Sequence, residues 1–142
     1  MGRRAYDMAQ GDFTNYEFQV PIFVLTHNVP DKVAKGENEK LSFTFVTDGI
    51  ESAIGQARAA AGDKNVTVIG GADTIQQCIK KGLLDEIQIG IVPILLGGGI
   101  RLFEHIDKQI DLEKMRVIES PTRTDLRFRV VKQDPSNTGP VC

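Results

Sequence analysis

Apolar positions along the chain change period several times, and each change marks a new element. From Pro21 to Thr26 the run Pro-Ile-Phe-Val-Leu-Thr is short and almost continuously apolar, the pattern of a buried strand. Leu41 to Val46 alternates apolar with polar and predicts a second, shorter strand, with a polar loop from Asn28 to Lys40 between the two. Between Gly49 and Ala61, Ile50, Ala53, Ile54, Ala57 and Ala61 recur at helical spacing. That segment predicts an amphipathic helix with Asp48 as its N-cap, Glu51 as the capping partner and Gly62 as its end. The β-branched run Val66 to Ile69 then predicts a strand, Gly70-Gly71 breaks it, and Ile75, Cys78 and Ile79 restore a helical period as far as Gly82. In Glu86 to Val92, Ile87, Ile89 and Ile91 alternate along a further strand. Leu112 to Ser120 and Thr124 to Lys132 flank Pro121 and predict an antiparallel pair.

Strands alternating with helices imply an α/β fold, a mostly parallel sheet with helices on both faces and an antiparallel end. Residues 1–132 are expected to form one domain, and the Asp-Pro-Ser-Asn-Thr-Gly-Pro stretch predicts a disordered tail over 133–142. Length 142 with 41% hydrophobic and 25% charged residues fits one ordinary globular domain. No apolar run approaches the roughly 20 residues of a membrane span, and no signal peptide is read at the start. With 17 basic against 19 acidic residues the net charge is −2, which offers no pull toward nucleic acid or an anionic membrane, so neither is expected as a partner. Cys78 and Cys142 suggest no disulfide framework, and a reducing, cytoplasmic setting is the expectation. His27 and His105 stand at no metal-ligand spacing, so no metal is expected; His105, in Phe103 to Ile106, reads as part of a helical turn.

In such sheets ligands bind beyond the carboxyl ends of the strands, which directs attention to Thr26-His27, Asp48 and Gly70-Gly71. Gly70-Gly71-Ala72-Asp73-Thr74 follows a strand and opens a helix, so it is either a backbone cradle for a phosphate or a plain tight turn. It matches neither the phosphate-loop motif nor Gly-x-Gly-x-x-Gly. Gly2-Arg3-Arg4 offers two guanidinium groups for phosphate contacts, or simply an exposed basic start. His27 is either a pH-dependent phosphate contact or a loop histidine, and Gly97-Gly98-Gly99 is either a close backbone approach or a flexible turn. No nucleophile and base pair is evident.

Taken in order, Gly2-Arg3-Arg4-Ala5-Tyr6-Asp7-Met8, Val20 to His27, Phe45-Val46-Thr47-Asp48-Gly49, Val68-Ile69-Gly70-Gly71-Ala72, and Leu84-Asp85-Glu86 with Val92 to Gly99 and Leu102-Phe103 resemble the dihydrofolate reductase-like superfamily. The resemblance is to bacterial proteins related to the riboflavin biosynthesis reductase domain, and it extends over about residues 2–132. It implies a three-layer dihydrofolate reductase-like fold and an NADPH-dependent reductase that transfers hydride to a pterin- or pyrimidine-like small molecule. By the same resemblance Gly2, Arg3, Arg4, Gly70, Gly71, Ala72, Asp73 and Thr74 flank the pyrophosphate, Thr26 and His27 sit near the 2′-phosphate, and Asp48 sits near the adenine. Leu95, Gly97 and Gly98 lie on the substrate side, and the bond between Gly70 and Gly71 is often cis in the family. Members usually carry Thr or another residue where this chain has Ala5, and often Arg or Ser where it has His27.

Family members also open with a strand, a helix and a second strand ahead of the Gly-Arg segment, a section that this sequence lacks. No catalytic residue can be named in the remainder. The missing section predicts unpaired backbone and open apolar faces, and hence either a fragment of a longer reductase-like protein or a truncated form stabilised by self-association, with a homodimer the expected form. The alternative expectation is a catalytically inactive module that self-associates or only binds nucleotide.

Overall fold

The computed structural model describes residues 1–32 and 34–132. The chain divides into two compact units, residues 1–83 with 100–105, and 84–99 with the segment from 106 onward. The expected tail, 133–142, lies outside the described residues.

The first unit is built on two parallel strands, β1 (Pro21–Leu25) and β2 (Ser42–Val46), with Ile22 opposite Phe43 and Val24 opposite Phe45. Alternation along β1 buries Ile22 and Val24 on one face. There they pack with Phe13, Leu41 and Tyr6, the last from the short helix α1 (Arg3–Met8). Tyr6 is the hub of this core: its ring stacks on Phe13 at 5.3 Å and meets Phe43 and Phe45 edge-on at 5.5 and 5.2 Å. Each such aromatic pair adds roughly 0.5–1.5 kcal/mol to simple burial.

On the other face Phe23 and Leu25 meet helix α2 (Ile50–Ala61), whose Ile50, Ala53, Ile54 and Ala57 turn inward at the predicted spacing. Gly62 ends α2 with φ +63, its N–H donating to the Arg58 carbonyl at 3.1 Å. The start of α2 differs from expectation: Gly49, at φ +107, is the N-cap and no side chain caps the helix, so Asp48 is left exposed in front of it. The third helix, α3 (Ala72–Lys80), buries Thr74, Cys78 and Ile79.

In the second unit β3 (Glu86–Ile91), β4 (Leu112–Ser120) and β5 (Arg123–Val130) form an antiparallel sheet in the order β3-β5-β4. Leu126, Phe128 and Val130 are half-buried while Arg127 and Arg129 face water, paired with Glu86 and Glu113. The antiparallel pair around Pro121 is as the pattern predicted, with a bulge between Lys114 and Arg116.

The α/β class holds; among the described residues the parallel pairing comprises β1 with β2 and two isolated bridges, Gly2 with Leu25 and Asp12 with Lys35. Residues 66–69 depart from the prediction. They run as irregular chain, and among the described residues none of their backbone groups is hydrogen-bonded to another backbone group. The sequence there is β-forming, but a strand exists only where a neighbour supplies the ladder. The helical turn expected around His105 is also absent; His105 has φ +56, which interrupts a helix.

Candidate functional site

At the carboxyl end of β1, Thr26 is buried and its hydroxyl is fully used. It donates to the Asn28 carbonyl at 2.8 Å and accepts from Arg3 Nη1 at 3.1 Å and from the Asn28 N–H at 3.3 Å. Arg3 Nη1 also donates to the Asn28 carbonyl at 2.7 Å, and its Nε donates to Asp7 at 2.8 Å. Arg3 therefore braces α1 against the end of β1 and fixes the loop that carries His27. Arg4 differs: it is exposed, and among the described residues it makes no hydrogen bond or ion pair. His27 is likewise exposed.

The turn into α3 lies against the start of the chain. A β-carbon on Gly70 would stand 2.9 Å from the Gly2 nitrogen, and Gly70 holds φ +153, so both space and backbone angle require glycine. A β-carbon on Gly2 would in turn collide with the Thr74 hydroxyl. Gly71 is the N-cap of α3, with no side-chain cap and no atom within 4 Å of where its β-carbon would be. It is exposed, beside an amino-terminal turn whose backbone donors lack a side-chain acceptor. Asp73, in that first turn, is held away by Gln77, whose amide donates to it at 2.8 Å. No peptide bond among the described residues is cis, so the Gly70–Gly71 bond is trans and the chain reverses through the φ of Gly70 instead.

Of the residues read from sequence, the structure thus joins Gly2, Gly70 and Thr74 in one contact and Arg3 and Thr26 in another. Ala72 starts α3, and Asp48 is exposed ahead of α2 without capping it. Leu95, Gly97 and Gly98 belong to the second unit; all are exposed, Leu95 completely. Sequence reasoning missed the Asn28 carbonyl as the shared acceptor of Arg3 and Thr26, since a backbone oxygen leaves no mark in a residue pattern. Among the described residues no group of three or more His, Cys, Asp or Glu is placed to hold a metal ion, and no helix is long and apolar enough to cross a membrane.

The profile of the RibD C-terminal domain matches residues 14–134. The chain belongs to the RibD C-terminal domain family. Its fold is dihydrofolate reductase-like. This RibD C-terminal domain resembles a protein of Shewanella sp. PV-4 assigned to riboflavin biosynthesis, at 26% identity and a TM-score of 0.73, over 93% of this chain and 72% of that one. It shares its fold with the riboflavin biosynthesis reductase Rib7 of Saccharomyces cerevisiae, at 17% identity and a TM-score of 0.54, over 80% of this chain and 57% of that one. The uncharacterized protein YwjB of Bacillus subtilis (strain 168) is 29% identical over 69 residues, 49% of this chain; that match spans 39% of YwjB.

Proposed function

We propose that this RibD C-terminal domain is a reductase-like protein that binds NADPH where the ends of β1 and β2 and the start of α3 bring the phosphate-binding candidates into the first unit. The observation that carries the reading is the apposition of Gly2, Gly70 and Thr74 beside the open Gly71 cap. Gly2 and Gly70 give up side-chain volume there, and beside them is an uncapped helix start that an anionic group can approach closely. The fit to a dinucleotide phosphate is good on those grounds: the Gly71 and Ala72 backbone supplies donors, Arg4 supplies a cation without a competing partner, and Arg3 positions the loop bearing His27. Asp48, exposed two residues past the end of β2, is the candidate for the adenosine side.

When bound, NADPH would supply a hydride, and the reading takes a pterin- or pyrimidine-like molecule as its acceptor. The contribution of these residues is binding and orientation. Leu95, Gly97 and Gly98 are the candidates for the substrate side. The proposal includes a cytoplasmic setting and a homodimer.

Titration calorimetry with NADPH, repeated on Gly71→Val, tests it. The valine's β-carbon meets no atom within 4 Å and Gly71 is exposed, so the variant is expected to keep its structure while its side chain blocks the helix start. Saturable binding that weakens at least about ten-fold, or 1.4 kcal/mol, in the variant supports the reading. Equal binding by both chains, or none by the folded parent, overturns it. A second reading, a self-associating module without activity, is favoured by the exposed Met115, Val117 and Ile118 of β4. Concentration-dependent size that ignores NADPH, with no NADPH consumption, would select it.

A further inference from the structure

Ile100 to His105 belong to the first unit, but the chain before them, 84–99, and after them, from 106 onward, belongs to the second. Both crossings fall at left-handed backbone: Gly99 has φ +151 and His105 has φ +56, a conformation that is costly for a residue with a side chain. Among the described residues no backbone–backbone hydrogen bond involves this six-residue strap. A side chain ties it to α3 instead. Gln76 Nε2 donates to the Arg101 carbonyl at 3.2 Å and to the Leu102 carbonyl at 3.1 Å. A primary amide carries two N–H groups, one for each of these consecutive carbonyls.

The neighbouring Gln77 turns back along its own helix to Asp73, so of the two adjacent glutamines it is Gln76 that reaches across to the strap. Arg101 pairs with Glu104 inside the strap and adds no link to the helix. Directly ahead of the strap, a β-carbon on Gly97, Gly98 or Gly99 would meet no atom within 4 Å, and Gly97 holds φ +71. Three glycines in open space impose little path of their own. Their course is set by the next fixed point along the chain, which is the pair of carbonyls held by Gln76.

We propose that Gln76 is a positioning residue: by clasping the Arg101 and Leu102 carbonyls it fixes the path of the Gly97–Gly99 loop and so places Gly97 and Gly98. The bearing on substrate rests on the proposed role of those two glycines, whereas the clasp itself stands on the geometry of α3 and the strap.

The test uses the full chain without NADPH, so failure of the cofactor reading leaves its outcome untouched. An arginine-specific protease probes the Arg101–Leu102 bond, whose carbonyl is one of the two that Gln76 holds. A nitroxide on Ile100→Cys, in a Cys142→Ser background, reports motion where the glycine loop meets the strap; Ile100 is exposed and Cys78 is buried, so the label goes to one position. Gln76→Met keeps the side-chain length without donors, and Gln76→Lys supplies donors again. Cleavage at Arg101 is expected to be at least about ten-fold faster in Gln76→Met, with a sharpened nitroxide spectrum, and both should return toward the parent in Gln76→Lys. Cleavage at Arg58, within α2, should stay constant throughout. Unchanged cleavage and spectrum in a folded Gln76→Met chain overturn the proposal, as does equal release by the Met and Lys variants. Acceleration at Arg58 equal to that at Arg101 also overturns it, since Gln76 would then support the whole unit and not the loop.

Discussion

Gly2 and Thr74 meet so closely that a β-carbon on the glycine would collide with the threonine hydroxyl. Thr74 is buried in α3, with little room to retreat. Gly2→Ala therefore forces a shift between the chain start and α3, with an expected loss of about 1–3 kcal/mol. Gly71→Ala, one residue from Gly70 and facing open space, should be within about 0.5 kcal/mol of the parent. Urea unfolding of the two variants side by side checks the contrast, and comparable losses would contradict the packing described.

Tyr6 carries a cost within its own core. Its ring is the hub of the aromatic cluster, yet among the described residues its buried hydroxyl has no hydrogen-bond partner. Tyr6→Phe keeps every ring contact and removes the orphaned group, so it should stabilise the fold by up to about 1–3 kcal/mol, the penalty of an unsatisfied buried polar group. Tyr6→Ala should cost about 3–5 kcal/mol. A Phe variant less stable than the parent in chemical denaturation would show that the hydroxyl is satisfied in solution.

Adjacent arginines should separate binding from stability. Arg4 has no partner among the described residues, so Arg4→Ala should weaken NADPH about ten-fold, as loss of one charge-assisted phosphate contact does, and leave the Tm unchanged. Arg3 holds Thr26, Asn28 and Asp7, so Arg3→Ala should lower the Tm as well as the affinity. Arg3→Lys should recover little, because an ammonium cannot reproduce the planar fork that spans those acceptors. Calorimetry and melting curves on the same samples resolve the two effects.

How much of this was legible in the chain depends on where each pattern finds its partner. The helix from Ile50 to Ala61 and the antiparallel pair around Pro121 were readable because their periodicity and turn residues are local. Val66 to Ile69 carries the same β-branched signal as Pro21 to Leu25, but only the second lies beside a strand in register, and a ladder is a property of two segments. At the site, Gly70 could be singled out as a turn residue, whereas its contact with Gly2, 68 positions away, is visible only in three dimensions. Arg3 was recognisable as a cation near the site. Its role as a brace follows from the Asn28 carbonyl, which any residue at that position would supply.

Stability should also depend on pH on both sides of neutrality. Burial pushes the Met1 amine below its ordinary value of 8.0, so just below that pH the unfolded chain holds more protons than the folded one. More protons on the unfolded state means that stability rises with pH, and the gain is complete once pH passes 8.0 and the amine is neutral in both states. Burial pushes the Cys78 thiol the other way, above its ordinary 9.0, and the Tyr6 and Tyr16 hydroxyls above 10.0. Past pH 9 the unfolded chain gives up those protons first, so the folded state becomes the more protonated one and stability falls as pH rises. The expected profile climbs toward pH 8, levels, and declines beyond 9, with Cys78→Ala delaying the start of the decline. Denaturation midpoints from pH 6 to 10.5 on both chains measure it; a decline that begins at the same pH in Cys78→Ala would show that the buried thiol contributes nothing to it.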